Sequence, residues 1–136
     1  MPLSQLLLTY LFSLFVFLGI DFVWLSFVAK NFYRQHIGHL MTSSPKLLPA
    51  GIFYLTFVIG VILFAVLPGL KDGSLSKTLL LAAAFGFFTY STYDLTNLAT
   101  LKNWPLIVTL IDIVWGMFIA SVTALAAFLF NKYIFK

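Results

Sequence analysis

Apolar residues in this chain fall into four long runs separated by short polar joints. The first, 3–29, carries one charge, Asp21. The second, 47–70, carries none. The third, 78–101, carries Asp94, and the fourth, 105–130, carries Asp112. Each exceeds the roughly 20 residues needed to cross the hydrocarbon layer of a bilayer at helical rise. A span in lipid must satisfy its own backbone hydrogen bonds, so each run predicts a transmembrane helix.

The joints set the topology. Lys71-Asp72-Gly73-Ser74 is a turn signal, with Ser74 or Ser76 placed to cap the next helix. Lys102-Asn103-Trp104-Pro105 is equally short, with Asn103 as the expected N-cap and Pro105 in the first turn. Such joints make consecutive spans antiparallel neighbours. The first joint is longer: Lys30 to Leu40 mixes aromatic and basic residues and reads as an amphipathic segment on the membrane surface. The expected architecture is all-α, a single transmembrane domain over 1–136 built as an antiparallel four-helix bundle. The first run lacks a basic leader and holds an aspartate near its end, so it reads as a span rather than a cleaved signal.

Composition agrees. Of 136 residues, 62% are apolar and 9% charged, against roughly 25% charged in soluble domains. There is no cysteine, which excludes thiol, disulfide and iron–sulfur chemistry. The net charge of +4 comes from Lys and Arg at helix ends and in loops, where they meet lipid headgroups, so nucleic acid is not an expected partner. Four of these cations lie on each side: Lys71, Lys77, Lys132 and Lys136 against Lys30, Arg34, Lys46 and Lys102. The positive-inside rule is balanced, and the α-amino group tips it toward cytoplasmic termini.

The acids carry the candidate chemistry. The chain has no glutamate, and three of its four aspartates fall inside spans, where each charge costs roughly 2.5–3.5 kcal/mol even on the lenient insertion scale. Asp21 precedes Lys30 by nine residues, Asp94 precedes Lys102 by eight, and Asp112 follows Lys102 by ten. Helical rise then sets all three roughly 12–15 Å from the same interface, in one layer. Their helix faces suit inward packing: Ser13, Phe17, Asp21 and Trp24; Gly86, Tyr90, Asp94 and Asn97; Asp112, Gly116, Ala120 and Ala124. The last is a small-residue stripe and a candidate dimer contact. The second span is nearly devoid of side-chain polarity and is expected to complete the wall through Gly51 and Gly60.

Carboxyls crowded in low dielectric cannot all carry charge together. They can bind a proton, a metal or organic cation, or a ligand's amine or hydroxyl groups. The bland alternative is that they tie helices together through Tyr, Thr, Asn and Trp. The repeated Ile-Asp-x-x-Trp of Ile20–Trp24 and Ile111–Trp115 puts an indole donor one turn after an acid twice. Because the helices are antiparallel, Trp24 is expected near the interface and Trp115 deeper. His36 and His39 could ligate a metal, but with no third nitrogen ligand and no glutamate no metal site is expected. No lysine or histidine lies within a span, so neither retinal nor haem is expected, and no cofactor is implied.

The run Thr92-Tyr93-Asp94-Leu95-Thr96-Asn97-Leu98-Ala99-Thr100-Leu101-Lys102-Asn103-Trp104-Pro105 carries a resemblance. With Asp21-x-x-Trp24, Ala29-Lys30-Asn31-Phe32-Tyr33, Gly38-His39 and Asp112-x-x-Trp115-Gly116, nearly the whole chain resembles a bacterial inner-membrane family catalogued as domain of unknown function 2177. The resemblance implies a four-span protein of the bacterial cytoplasmic membrane and brings no activity with it. The leading functional expectation is binding or transport of a cation, a proton-coupled solute or an amphiphile. Its site would use Asp21, Asp94, Asp112, Tyr90, Tyr93, Asn97, Trp24 and Trp115, in a homodimer or larger oligomer surrounded by lipid. Alternatives are a lipid-modifying enzyme with one Asp as acid or base, assisted by Tyr90, Tyr93 or His39, and a structural subunit of a larger membrane complex.

Overall fold

The computed structural model describes residues 1–136 and contains helices and no strands. Helix α1 (Leu3–Val23) passes without a break through a π-helical stretch (Trp24–Ala29) into α2 (Lys30–Ile37) and a 3-10 turn (Gly38–Leu40). The amphipathic segment is thus a continuation of the first span, not a separate loop helix. Next come α3 (Leu47–Val61), a second π-helical stretch (Ile62–Val66) and α4 (Leu67–Lys71), which together form one rod. Helices α5 (Leu75–Thr100) and α6 (Leu106–Ile134) complete an antiparallel four-helix bundle. Leu3–Leu40, Leu47–Lys71 and Leu106–Ile134 are each long and apolar enough to cross a membrane. The 26-residue α5 has the length but a more polar sequence. Large apolar side chains such as Phe15, Phe27, Leu47 and Leu80 point outward, as lipid requires and water forbids. The protein is an integral, multi-pass membrane protein.

Helix ends follow the turn chemistry with one change. Ser74 caps α5, its hydroxyl accepting from the Lys77 amide at 3.1 Å, and Gly73 supplies the positive φ of the turn before it. At the other short joint Pro105, not Asn103, occupies the N-cap position. Asn103 takes a left-handed conformation at φ 61°, which asparagine tolerates better than most residues, and so makes the chain reversal itself.

Helix α6 is the axis of the bundle. Its Gly116, Ala120, Ala124 and Ala127 are buried against α5 and α1, and Gly86 of α5 lies directly on the Gly116 backbone. The small-residue stripe is therefore used up inside the chain, where it brings α5 and α6 close, and is not available as a contact between copies. At the end bearing the termini, Asn131 joins α6 to α1. It accepts from Gln5 Nε2 and donates to Thr9 Oγ1, each at 2.9 Å, and donates again to its own Ala127 carbonyl. Every polar atom of that amide has a partner, the signature of structural glue.

The second rod is packed unevenly. From Phe57 onward it buries Phe57, Val58, Val61, Ile62, Ala65, Val66 and Gly69, whereas no residue of 47–54 is buried. It closes on the bundle at the Lys71 end and leans away at the end bearing loops one and three. The space this leaves is the site.

Candidate functional site

The three intramembrane aspartates reach this space from three helices. Asp21 lies in the last turn of α1, Asp94 near the end of α5, and Asp112 in the second turn of α6. Asp21 and Asp94 are buried, Asp94 completely. Asp112 neighbours both, and Tyr90 lies within electrostatic reach of all three. The carboxyls do not converge on one point, however. No three carboxylate or imidazole groups are placed to hold a metal ion.

The stacking of the two tryptophans explains the spread. Trp24 and Trp115 lie face to face, ring centroids 4.2 Å apart and planes 9° from parallel. This corrects the expectation that Trp115 would sit deeper than Trp24. Side chains lean toward the N-terminus of their helix, so in an antiparallel pair Trp24 leans inward, Trp115 leans outward, and the rings meet. The same lean carries the acids apart. Asp112 turns toward the loop end, where the Tyr33 hydroxyl of α2 donates to its Oδ1. Asp21 turns inward, where Trp115 Nε1 donates to it at 3.4 Å and the Tyr54 hydroxyl stands beside it. Asp94 is wholly buried with no protein N–H or hydroxyl donating to either oxygen, and its carboxyl faces that of Asp112 within hydrogen-bonding reach, so that one proton can be shared between the two.

The resulting cleft has a volume of about 410 Å³. Asp21 and Asp112 open onto it, and its walls are aromatic: Trp24 and Trp115, Tyr54 and Phe53 from α3, Tyr90 and Tyr93 from α5. Trp104 of the last joint closes one corner. Its ring stands edge-on to Tyr93 at 5.8 Å, and its indole donates to Thr109 Oγ1 at 3.0 Å, which donates in turn to the Asp94 carbonyl. Tyr33, Ile37 and Met41 form a roof. A straight helix would set Asp21 and Ile37 about 24 Å apart along its axis. Both border one cleft, and the π-helical stretch between them is where the first rod departs from regular α-helix. No lysine or arginine lines the cleft, and the one salt bridge of the protein, Asp72–Lys77, lies at the opposite end.

The candidate residues thus divide. Asp21, Asp112, Tyr90, Tyr93, Trp24 and Trp115 border the cleft, while Asp94 lies behind Asp112. Asn97 stands beside Tyr93 outside the lining. His36 is turned back on its own helix, Nδ1 2.9 Å from the Phe32 carbonyl oxygen, and His39 is exposed; neither borders the cleft. Sequence reasoning overlooked Tyr33, Tyr54 and Trp104. Tyr54 had a signal, being the one phenol in a span otherwise treated as a plain wall. Tyr33 lay in the motif segment 29–33, but nothing local to that segment pairs it with Asp112.

A family model described as a predicted membrane protein, DUF2177, matches residues 6–129. The chain belongs to this family. The matched stretch takes in all four rods, and in this DUF2177 member it includes every residue of the cleft. No curated protein and no solved structure matches the chain.

Proposed function

We propose that the cleft binds an organic cation carrying an ammonium group, as the binding step of a transport protein. The observation that carries this reading is a lining that combines two carboxyls with eight aromatic side chains and no basic one. Buried acids without a countercharge are costly, and a cationic ligand supplies what the protein omits. The faces of Trp, Tyr and Phe attract ammonium groups by roughly 0.5–2 kcal/mol each, more when desolvated. An organic cation is favoured over a metal ion because no three of the acids and histidines meet at ligand distance. The volume is within the range of roughly 300–1,000 Å³ common for small-molecule sites.

The test is equilibrium binding of benzyltrimethylammonium to the purified protein in phosphatidylglycerol nanodiscs, with empty discs as background. Saturable binding is expected, weakened about tenfold or more in Asp21→Asn and Asp112→Asn and unchanged in Asp72→Asn at the far end. Absence of binding to the unaltered protein, or equal binding by the Asp21 and Asp112 variants, rejects the proposal.

A further inference from the structure

A second hollow, of about 510 Å³, adjoins the cleft on the outer side of α1. It shares Asp21, Leu25 and Tyr54 with the cleft and continues over Phe22, Gly19, Leu18 and Phe15. From Asp21 to Phe15 the helix descends about 9 Å away from the loop end, so the hollow runs from the acids toward the bilayer interior. Past Asp21 its walls are wholly apolar apart from the Tyr54 hydroxyl. Gly19 forms part of its floor. Glycine is a poor helix residue, and here no close approach calls for it: a Cβ at this position would meet nothing within 4 Å. Gly86 and Gly116 differ, since each is pressed against a neighbouring helix. What the missing side chain at Gly19 does is keep the hollow open.

We infer that the ligand is an amphiphile whose ammonium headgroup sits between Asp21 and Asp112 and whose alkyl chain lies in the groove over Gly19, reaching the site from the membrane between α1 and α3. This rests on the cation-binding reading of the cleft and adds to it the class of ligand and its route. Neither hollow is lined by lysine or arginine, so nothing offsets a phosphate; the headgroup is an amine or quaternary ammonium without one. An alkyl chain fits the groove because groove and cleft adjoin at Asp21, Leu25 and Tyr54, at the depth where acyl chains already lie.

Two probes separate this from the underlying reading: benzyltrimethylammonium, which fills only the cleft, and dodecyltrimethylammonium, which needs the groove. Both are measured in phosphatidylglycerol nanodiscs on the full chain and on Gly19→Phe, with Gly19→Leu as a smaller obstruction. The filled groove is expected to weaken the dodecyl probe about tenfold or more while the benzyl probe stays within about twofold, since overfilling acts only where the chain must pass. A dodecyl probe with a photoreactive chain end is expected to label Phe15, Leu18 or Phe22. Equal effects on both probes, no effect on either, or labelling confined to other helices overturns the chain route while leaving the cleft reading intact. Failure of the benzyl probe on the unaltered protein rejects the cleft reading itself.

Discussion

Adding one methyl group at Gly86 tests the packing that sets the site. A Cβ there would stand 2.7 Å from the carbonyl carbon of Gly116 and 2.9 Å from the Cα of Met117. Ordinary carbon contacts lie near ~3.5–4.0 Å, so α5 and α6 must part by about 1 Å locally. Both obstacles are backbone, and neither can rotate away. Overpacking of this kind costs typically ~1–3 kcal/mol. Alanine also favours the helix over glycine by ~0.8–1.0 kcal/mol, which masks part of the loss. Gly19→Ala isolates that masking gain, because its methyl meets nothing within 4 Å. The stability of Gly86→Ala should therefore fall below that of Gly19→Ala by about 1–3 kcal/mol, the propensity gain cancelling in the comparison. Gly19→Ala itself should equal or exceed the unaltered protein. The assay is equilibrium unfolding in mixed micelles at rising dodecyl sulfate fraction, followed by circular dichroism. If the two variants shift together, the close approach of α5 and α6 is not what holds this bundle.

Three further outcomes follow from single contacts. Asn131→Leu removes bonds to Gln5 and Thr9, which at roughly 0.6 kcal/mol for a polar pair in a membrane bundle should cost about 1 kcal/mol in the same titration; no change would mean the amide is dispensable. Asp94→Leu replaces a wholly buried carboxyl that no protein donor reaches and that crowds the Asp112 carboxyl, and should raise stability by about 1–3 kcal/mol; a loss of stability would mean that the Asp94–Asp112 pair holds α5 to α6. Asp72 is held below the usual carboxylate range by its hydrogen bond to Lys77 and then by that lysine's charge. An acid with a depressed folded pKa stabilises above its unfolded value, and the contribution disappears as pH falls through the folded value, here below about pH 4. The difference in stability between the unaltered protein and Asp72→Asn should be small, because the pair is exposed, and should vanish on acidification between about pH 5 and pH 2. A difference that grows in acid would refute the sign.

Much of the architecture was legible because lipid imposes strong local rules. A run such as 106–134 must be helical for reasons contained in the run itself, and Ser74 caps α5 because its own hydroxyl reaches Lys77. The aspartates drew attention for the same kind of reason: the cost of a charge at depth depends on residue type and position along the span, both of which a sequence displays. Three of the cleft's aromatic residues, Tyr33, Tyr54 and Trp104, were not legible as partners of those acids. Each reaches its place through a feature with no local code: the π-helical stretch at Trp24–Ala29, the outward lean of α3, and the left-handed turn at Asn103.

The sequence by itself determined that this is a four-helix membrane protein and that its rare acids are the groups to watch, since hydropathy and desolvation act on each segment independently of the others. Only the tertiary structure decided what those acids face. It turned the Gly116–Ala124 stripe inward, stacked Trp24 on Trp115 and set Asp94 behind Asp112. These outcomes depend on which helix faces touch and on how side chains lean in antiparallel neighbours, and contact between distant segments is not a property of any one of them.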